Sequence, residues 1–204
     1  MAKAVSVTSL RKRSFNVLPF AGEFEASIGQ PEVRGTWIVW GNSGNGKTSF
    51  ALQLAKYLAK FGKVIYNSLE EGISLSMANA IERINMVQVN RNFWLIDGEP
   101  MDELNERLEK DRAIRFVIID SLQYSGLGYD EYRKLRQKYP NKLFVFISHA
   151  RGKEPAGSVA ESIRFDAFVK IWVEGYRAFA QSRYGGGEPF EIWKTGASKY
   201  WTKN

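Results

Sequence analysis

Along the chain, apolar positions fall into two textures. Between residues 34 and 149, short apolar runs alternate with amphipathic stretches. Arg34–Trp40 (RGTWIVW), Lys63–Ser68 (KVIYNS), Phe93–Ile96, Phe116–Ile119 (FVII) and Leu143–Ser148 (LFVFIS) have strand length. Their near-continuous apolar character predicts strands covered on both faces. Between them, Lys47–Phe61 places Phe50, Ala51, Leu54, Ala55, Leu58 and Phe61 at helical spacing. Ser74–Val87, Asp102–Arg112 and Tyr129–Lys138 also read as helices, the last stopping near Pro140. Covered strands alternating with helices predict an α/β fold, a mostly parallel central sheet flanked by helices. Beyond His149 the texture changes. Arg151–Ser158 reads as a loop. Ala167–Glu174, Tyr176–Ala180, Pro189–Lys194 and Ser198–Trp201, punctuated by Gly175 and Gly185-Gly186-Gly187, read as C-terminal antiparallel β-hairpins extending the sheet. Residues 1–33 are weakly patterned and read as an N-terminal arm packing on the core, leaving 34–204 as one domain.

Composition narrows the function without choosing it. No apolar run approaches the roughly 20 residues that span a bilayer, and the basic N-terminal residues (Lys3, Arg11, Lys12, Arg13) have no apolar stretch behind them. That argues against a membrane partner and an export signal, with a cytoplasmic location as the default. The absence of cysteine excludes disulfides, thiolate metal sites and a cysteine nucleophile. Lys plus Arg number 29 against 22 Asp plus Glu, a formal charge of +7. Such a surplus suits a polyanion partner, since phosphate contacts release condensed counterions; it also suits a solvated surface around one nucleotide site.

The chemistry concentrates after the first strand. Gly41-Asn42-Ser43-Gly44-Asn45-Gly46-Lys47-Thr48, running on into Ser49, fits G-x-x-x-x-G-K-[ST], with a strand before it and an amphipathic helix after it. Glycines let the backbone N–H groups turn toward phosphates, and the helix N-terminus adds its partial positive charge. Lys47 then reaches the β- and γ-phosphates of ATP, and Thr48 offers a hydroxyl to Mg²⁺. Asp120 ends its strand where a carboxylate holds the Mg²⁺ water shell; its competing reading is a turn cap beside Ser121. Glu70 and Glu71 follow the second strand, and either suits a base for the attacking water, with Glu70 ahead; helix-start charges are the alternative. His149, the only histidine, ends its strand as a candidate γ-phosphate sensor or as a plain strand-end histidine.

In this order the motifs resemble the RecA-like P-loop ATPase core, and within it the RadA, DnaB-helicase and KaiC branch. VIYNSLEEG is similar to the segment that carries the catalytic glutamate, landing on Glu70, with a Glu-Glu pair keeping Glu71 in play. FVIIDSLQY is similar to the strand-end aspartate segment at Asp120 and also matches at Gln123. VFISHA is similar to the sensor strand at His149. Gln181-Ser182-Arg183-Tyr184-Gly185-Gly186 resembles the late hairpin whose arginine finger reaches a neighbour's nucleotide. That implies the role for Arg183, although Gln181 stands where a second basic residue is common. The resemblance spans about residues 30–200. It implies a minimal, single-domain ATPase with ATP and Mg²⁺, self-assembled as a hexameric ring or helical filament. It also implies action on DNA, single-stranded by preference, in recombination, repair or replication. One DNA loop of the family is reduced here to Ser121–Tyr129; the other falls in Arg151–Arg164, with Arg151, Lys153 and Arg164 as contacts. A rival reading is an ATP-gated assembly or regulatory protein with slow turnover and protein partners. No feature favours a third, a kinase.

Overall fold

The computed structural model describes residues 4–202; Lys3 of the basic N-terminal stretch lies outside the described residues. The strands are β1 (Gly35–Gly41), β2 (Lys63–Ser68), β3 (Phe93–Asp97), β4 (Ile114–Asp120), β5 (Leu143–Arg151), β6 (Glu154–Pro155), β7 (Val169–Glu174), β8 (Arg177–Ser182) and β9 (Phe190–Glu191). The helices are α1 (Val7–Arg11), α2 (Glu23–Ile28), α3 (Lys47–Leu58), α4 (Leu75–Arg83), α5 (Met101–Lys110), α6 (Tyr129–Lys138), α7 (Ser158–Asp166) and α8 (Lys194–Trp201). The sheet order is β3-β2-β4-β5-β1-β7-β8-β9, with β6 on β5 off this path. From β3 to β7 all neighbours pair in parallel; β8 and β9 add antiparallel.

Side chains alternate across each strand, so the sheet has a core on each face. Trp37 and Val39 pack with Phe50, Leu54 and Leu58 of α3. Ile38 and Trp40 point the other way and pack with Tyr132 of α6 and Ile163 of α7. Each such fully buried side chain contributes roughly 1.5–3 kcal/mol of transfer free energy. The N-terminal segment joins the first core through Leu18, Phe20, Phe24 and Ile28, whereas α1 buries no side chain. No helix among the described residues is long and apolar enough to cross a membrane.

Register fixes where the chemistry goes. Gly41 pairs with His149 and Ser68 with Asp120, so the carboxyl ends of β1, β2, β4 and β5 line one edge, the usual ligand edge of an open parallel sheet.

Four stretches differ from the sequence expectation. Ser198–Trp201 is not strand but the end of α8: Gly196 and Ala197 are buried, and Trp201 Nε1 donates to the Gly175 carbonyl at 3.1 Å. Its aromatic run is spent packing a helix under the β7–β8 turn. Arg151–Ser158 is not a plain loop, because β5 continues to Arg151 and turns into β6. Ser158–Asp166 forms a helix where none was expected, since only Ala160 and Ile163 of its stripe are buried. Helix α4 stops at Arg83, short of Val87, because Asn85 takes the left-handed region at φ +55 and a 3-10 turn follows.

Candidate nucleotide and hydrolysis site

The loop between β1 and α3 is built on glycines for separate reasons. A Cβ on Gly41 would lie 2.2 Å from the Val173 carbonyl oxygen, so β1 runs beside β7 only without a side chain there. Gly46 sits at φ +98, a left-handed conformation that costs glycine little. It caps α3 without a side-chain acceptor for the leading N–H groups, which is how a helix N-terminus keeps donors for a phosphate. Lys47 folds back over the loop, its Nζ donating to the Asn42 carbonyl at 3.1 Å. Asn45 fastens the loop to the β7–β8 turn: its Oδ1 accepts from the Gly175 N–H at 2.7 Å and its carbonyl from the Tyr176 N–H at 3.2 Å.

Across from the loop, the strand ends bring three titratable groups together. Asp120 is only 8% exposed and accepts a short hydrogen bond from the Tyr66 hydroxyl. Burial pushes its carboxyl up to about 6, against the Tyr66 hydrogen bond and Lys47, with Glu70 adding to the rise. Burial and the Asp120 charge raise the Tyr66 phenol well above its ordinary value, so it stays a donor. Burial also lowers the Lys47 ammonium, against the opposing pull of Asp120 and Glu70. The Glu70 carboxylate lies 2.8 Å from His149 Nε2, and that nitrogen lies 3.4 Å from Ser121 Oγ. Desolvation works against the charged form of Glu70, but hydrogen bonds from His149 and Ser121 outweigh it and hold its pKa below the ordinary carboxylate value. Glu71 is tied instead to the hydroxyls of Ser74 and Ser76 at the start of α4.

Gln123 clamps the neighbouring strand ends. Its Nε2 donates to Ser148 Oγ at 2.8 Å and to the Ala156 carbonyl at 2.9 Å, while its Oε1 accepts from the His149 N–H at 3.1 Å. It therefore links the β5–β6 hairpin to the His149 strand end. Arg151 and Lys153 stand exposed on that hairpin. Arg164 is tied back to the hairpin, paired with Glu154 of β6 and lying over the Trp40 ring at 5.2 Å. Ser49 lines a cavity of about 740 Å³ beside the loop, floored by α3 and walled by Tyr176, Ile192 and Trp193. The Tyr176 and Trp193 rings meet edge to face at 5.0 Å.

Among the described residues, no group of three or more His, Cys, Asp or Glu forms a metal cage. Asp120 nonetheless suits a cation bound jointly with phosphates. It is a buried carboxylate whose charge is disfavoured, and Ser68 Oγ, on the residue in register with it, is buried with no hydrogen-bond partner among the described residues.

Arg183 is not brought to the loop. Because β8 runs antiparallel to β7, the chain leaves β8 at the amino end of β7, where the Arg183 guanidinium stacks on Phe168 at 4.7 Å. The length of β1 separates that end from the loop, about 23 Å for seven extended residues. Three features escape the sequence. The Tyr66 bond, the Asn45 tether and the Tyr176–Trp193 wall depend on pairs far apart in the chain, and only the aromatic-rich tail hinted at the last.

Strands and helices together define an α/β fold with a mostly parallel central sheet, antiparallel strands at its C-terminal side, and a G-x-x-x-x-G-K-T loop between β1 and α3. The chain is similar to a solved structure described as an ATPase domain, with a TM-score of 0.52 and 15% identity over 77% of this chain and 80% of that one. At that identity the likeness concerns the fold. No family model matches the chain, and no curated protein matches its sequence.

Proposed function

We propose that this protein binds and hydrolyses ATP with Mg²⁺, works as an oligomer, and couples hydrolysis to DNA, single-stranded by preference. The observation that carries this reading is the meeting of Glu70 and His149 at 2.8 Å on the edge where Lys47 and Asp120 also lie. The backbone of Gly41–Thr48 cradles the phosphates and Lys47 supplies the cation. Thr48 and Asp120 would hold Mg²⁺, which when bound offsets charge on the phosphate oxygens. The cavity beside Ser49 has the size of a small-ligand pocket and takes the adenine ring. Glu70 is the base for the attacking water: its lowered pKa keeps it ionised at neutral pH, as a proton acceptor must be. The hydroxyls that hold Glu71 leave it the weaker choice. His149 orients Glu70, and through Gln123 both report to the β5–β6 hairpin, where Arg151 and Lys153 meet DNA.

Arg183 serves only a neighbour's nucleotide, since its own loop is beyond its reach. Assembly as a ring or filament then completes the site.

The test is calorimetric titration with Mg-ATP, followed by phosphate release with and without single-stranded DNA. Wild type should bind, and DNA should raise its turnover. Lys47→Ala should lose binding and hydrolysis together. Arg183→Ala should keep binding and lose hydrolysis. Equal rates with and without DNA, with nucleotide-dependent assembly retained, would turn the reading toward an ATP-gated assembly protein.

A further inference from the structure

A second groove lies at the opposite edge of the sheet, where β1, β4 and β5 begin. A cavity of about 740 Å³ opens there between the N-terminal segment and the α6–β5 connection. A smaller one of about 250 Å³ continues it past Arg34, Tyr139 and Lys142. The larger is lined by Arg13, Arg34, Arg112, Arg115, Lys138 and Lys142 against a single carboxylate, Glu32. Two of the cations are balanced locally, Arg34 by Glu32 at 2.7 Å and Lys138 by Glu109. Arg13 and Arg112 are exposed and make no ion pair among the described residues, whereas Arg115 is half-buried and donates to the Phe61 carbonyl at 2.9 Å. The groove beside β3 and α5 is the contrast, with five carboxylates (Asp97, Glu99, Glu103, Glu106 and Asp111) in its lining against three cations (Lys63, Arg107 and Lys110). The basic surplus of the chain is therefore gathered rather than spread.

Aromatic rings interleave with these cations. Phe15 is 49% exposed although apolar, and Tyr139 carries Lys138 and Lys142 within 5.6 and 5.8 Å of its ring centroid. Unpaired cations pull phosphates in by counterion release. An exposed ring offers a face on which an unpaired base stacks. Bases within a duplex are already stacked on each other, and a concave slot does not match a flat bilayer.

We propose that this groove binds a single-stranded nucleic acid, with phosphates on Arg13 and Arg112 and a base stacked on Phe15. The proposal shares a nucleic-acid partner with the function above, but neither its site nor its need for ATP.

The test is nucleotide-free anisotropy titration of a labelled oligothymidylate at several salt concentrations, with Arg151→Glu/Lys153→Glu run in parallel. Arg13→Glu/Arg112→Glu should bind at least tenfold more weakly. Its log affinity against log salt should flatten by about 1.4, the share of two single-strand phosphate contacts. Phe15→Ala should weaken binding by about tenfold with the salt slope unchanged. Both variants remove exposed side chains, and thermal melting checks that the fold is kept. Wild-type affinity and slope in the arginine double variant would overturn the groove while leaving the proposed ATPase intact. So would capture of wild type by phosphatidylglycerol vesicles at salt where the oligonucleotide does not bind. Loss of binding in the hairpin variant alone would return all nucleic-acid contact to Arg151 and Lys153. Equal competition by duplex and by single strand would overturn the single-strand preference.

Discussion

At the carboxyl edge of the sheet, polar side chains sit within hydrogen-bond reach of one another. At the amino edge, cations on long side chains line an open groove with one carboxylate among six of them. Tyr66 bonds Asp120, His149 bonds Glu70 and Ser121, and the Glu70 charge helps to raise the Asp120 carboxyl. Arg13 and Arg112 have no ion partner among the described residues, and nothing there holds them in one geometry. The difference follows from the tasks the two edges are read to perform. Moving a proton off water demands groups fixed in place with tuned pKa values. Holding a flexible polyanion demands only charge and reach, and rigid cations would forfeit entropy without gaining selectivity. On this contrast, variants at one edge should leave the other edge's readout alone.

The largest break should come from Glu70→Gln. It removes the proposed base while keeping a hydrogen-bonding side chain beside His149. Phosphate release should fall by about 10²–10⁴-fold, while titrated nucleotide affinity and oligonucleotide binding at the amino edge stay as in wild type. Glu71→Gln, which loosens contacts with Ser74 and Ser76 at the start of α4, should leave turnover largely intact. Hydrolysis that survives Glu70→Gln and fails in Glu71→Gln would reverse the assignment.

Asp120→Asn should have the next largest effect, and it should show as stability. The folded-state pKa of about 6 lies above the ordinary value of 3.8. Between those two values the folded chain holds a proton that the unfolded chain has released. The stability contributed by this group therefore falls as pH rises through that window, and above about 6 the ionised carboxylate is a constant penalty of about 3 kcal/mol. In EDTA at pH 7.5 the asparagine variant should melt roughly 6–12 °C higher than wild type, with the gap closing toward pH 4. With Mg-ATP present the order should invert, because only the carboxylate gains a cation. Scanning calorimetry under the four conditions decides it; a variant that melts lower in EDTA at pH 7.5 would mean that burial does not disfavour the charge.

How much of this was legible in the sequence depends on how local the signal is. The loop from Gly41 to Thr48 is contiguous, so its strand, turn and helix were readable together, and Asp120 announced itself by ending the run FVII. The parallel sheet followed from apolar runs covered on both faces. Helix α8 was misread because Tyr200 and Trp201 are as much at home in strands as in helices, and tertiary contact with Gly175 settles the matter. The amino-edge groove was illegible because Arg13, Arg34, Arg112 and Lys142 meet only after β1, β4 and β5 fall into register. Composition gave the size of the surplus and not its address. The distance from Arg183 to its own loop was hidden for a like reason, since it depends on β8 running antiparallel to β7.

The smallest effect should come from Asn45→Ala, and it tests whether the carboxyl edge owes its rigidity to the β7–β8 turn. Asn45 spends its Oδ1 on the Gly175 N–H at 2.7 Å and its Nδ2 on the Ser43 and Asn42 carbonyls at 3.3 and 3.4 Å. Gly175 is buried, so alanine would leave its N–H without that acceptor, at a cost of about 1–3 kcal/mol. The Asn45 carbonyl bond to Tyr176 would remain, so the loop should loosen rather than detach. Loosening lets the free loop sample states that do not fit phosphates, which lowers affinity by the fraction of time spent there. Nucleotide affinity should fall by severalfold, with turnover at saturation close to wild type, because His149 and Asp120 lie on other strands and Glu70 just beyond one. Hydrogen exchange should rise at Gly175 and across residues 42–46 and stay flat at the amino edge. A drop in saturated turnover with affinity preserved would mean instead that the tether acts on Glu70 and His149, and that the carboxyl edge moves as one unit.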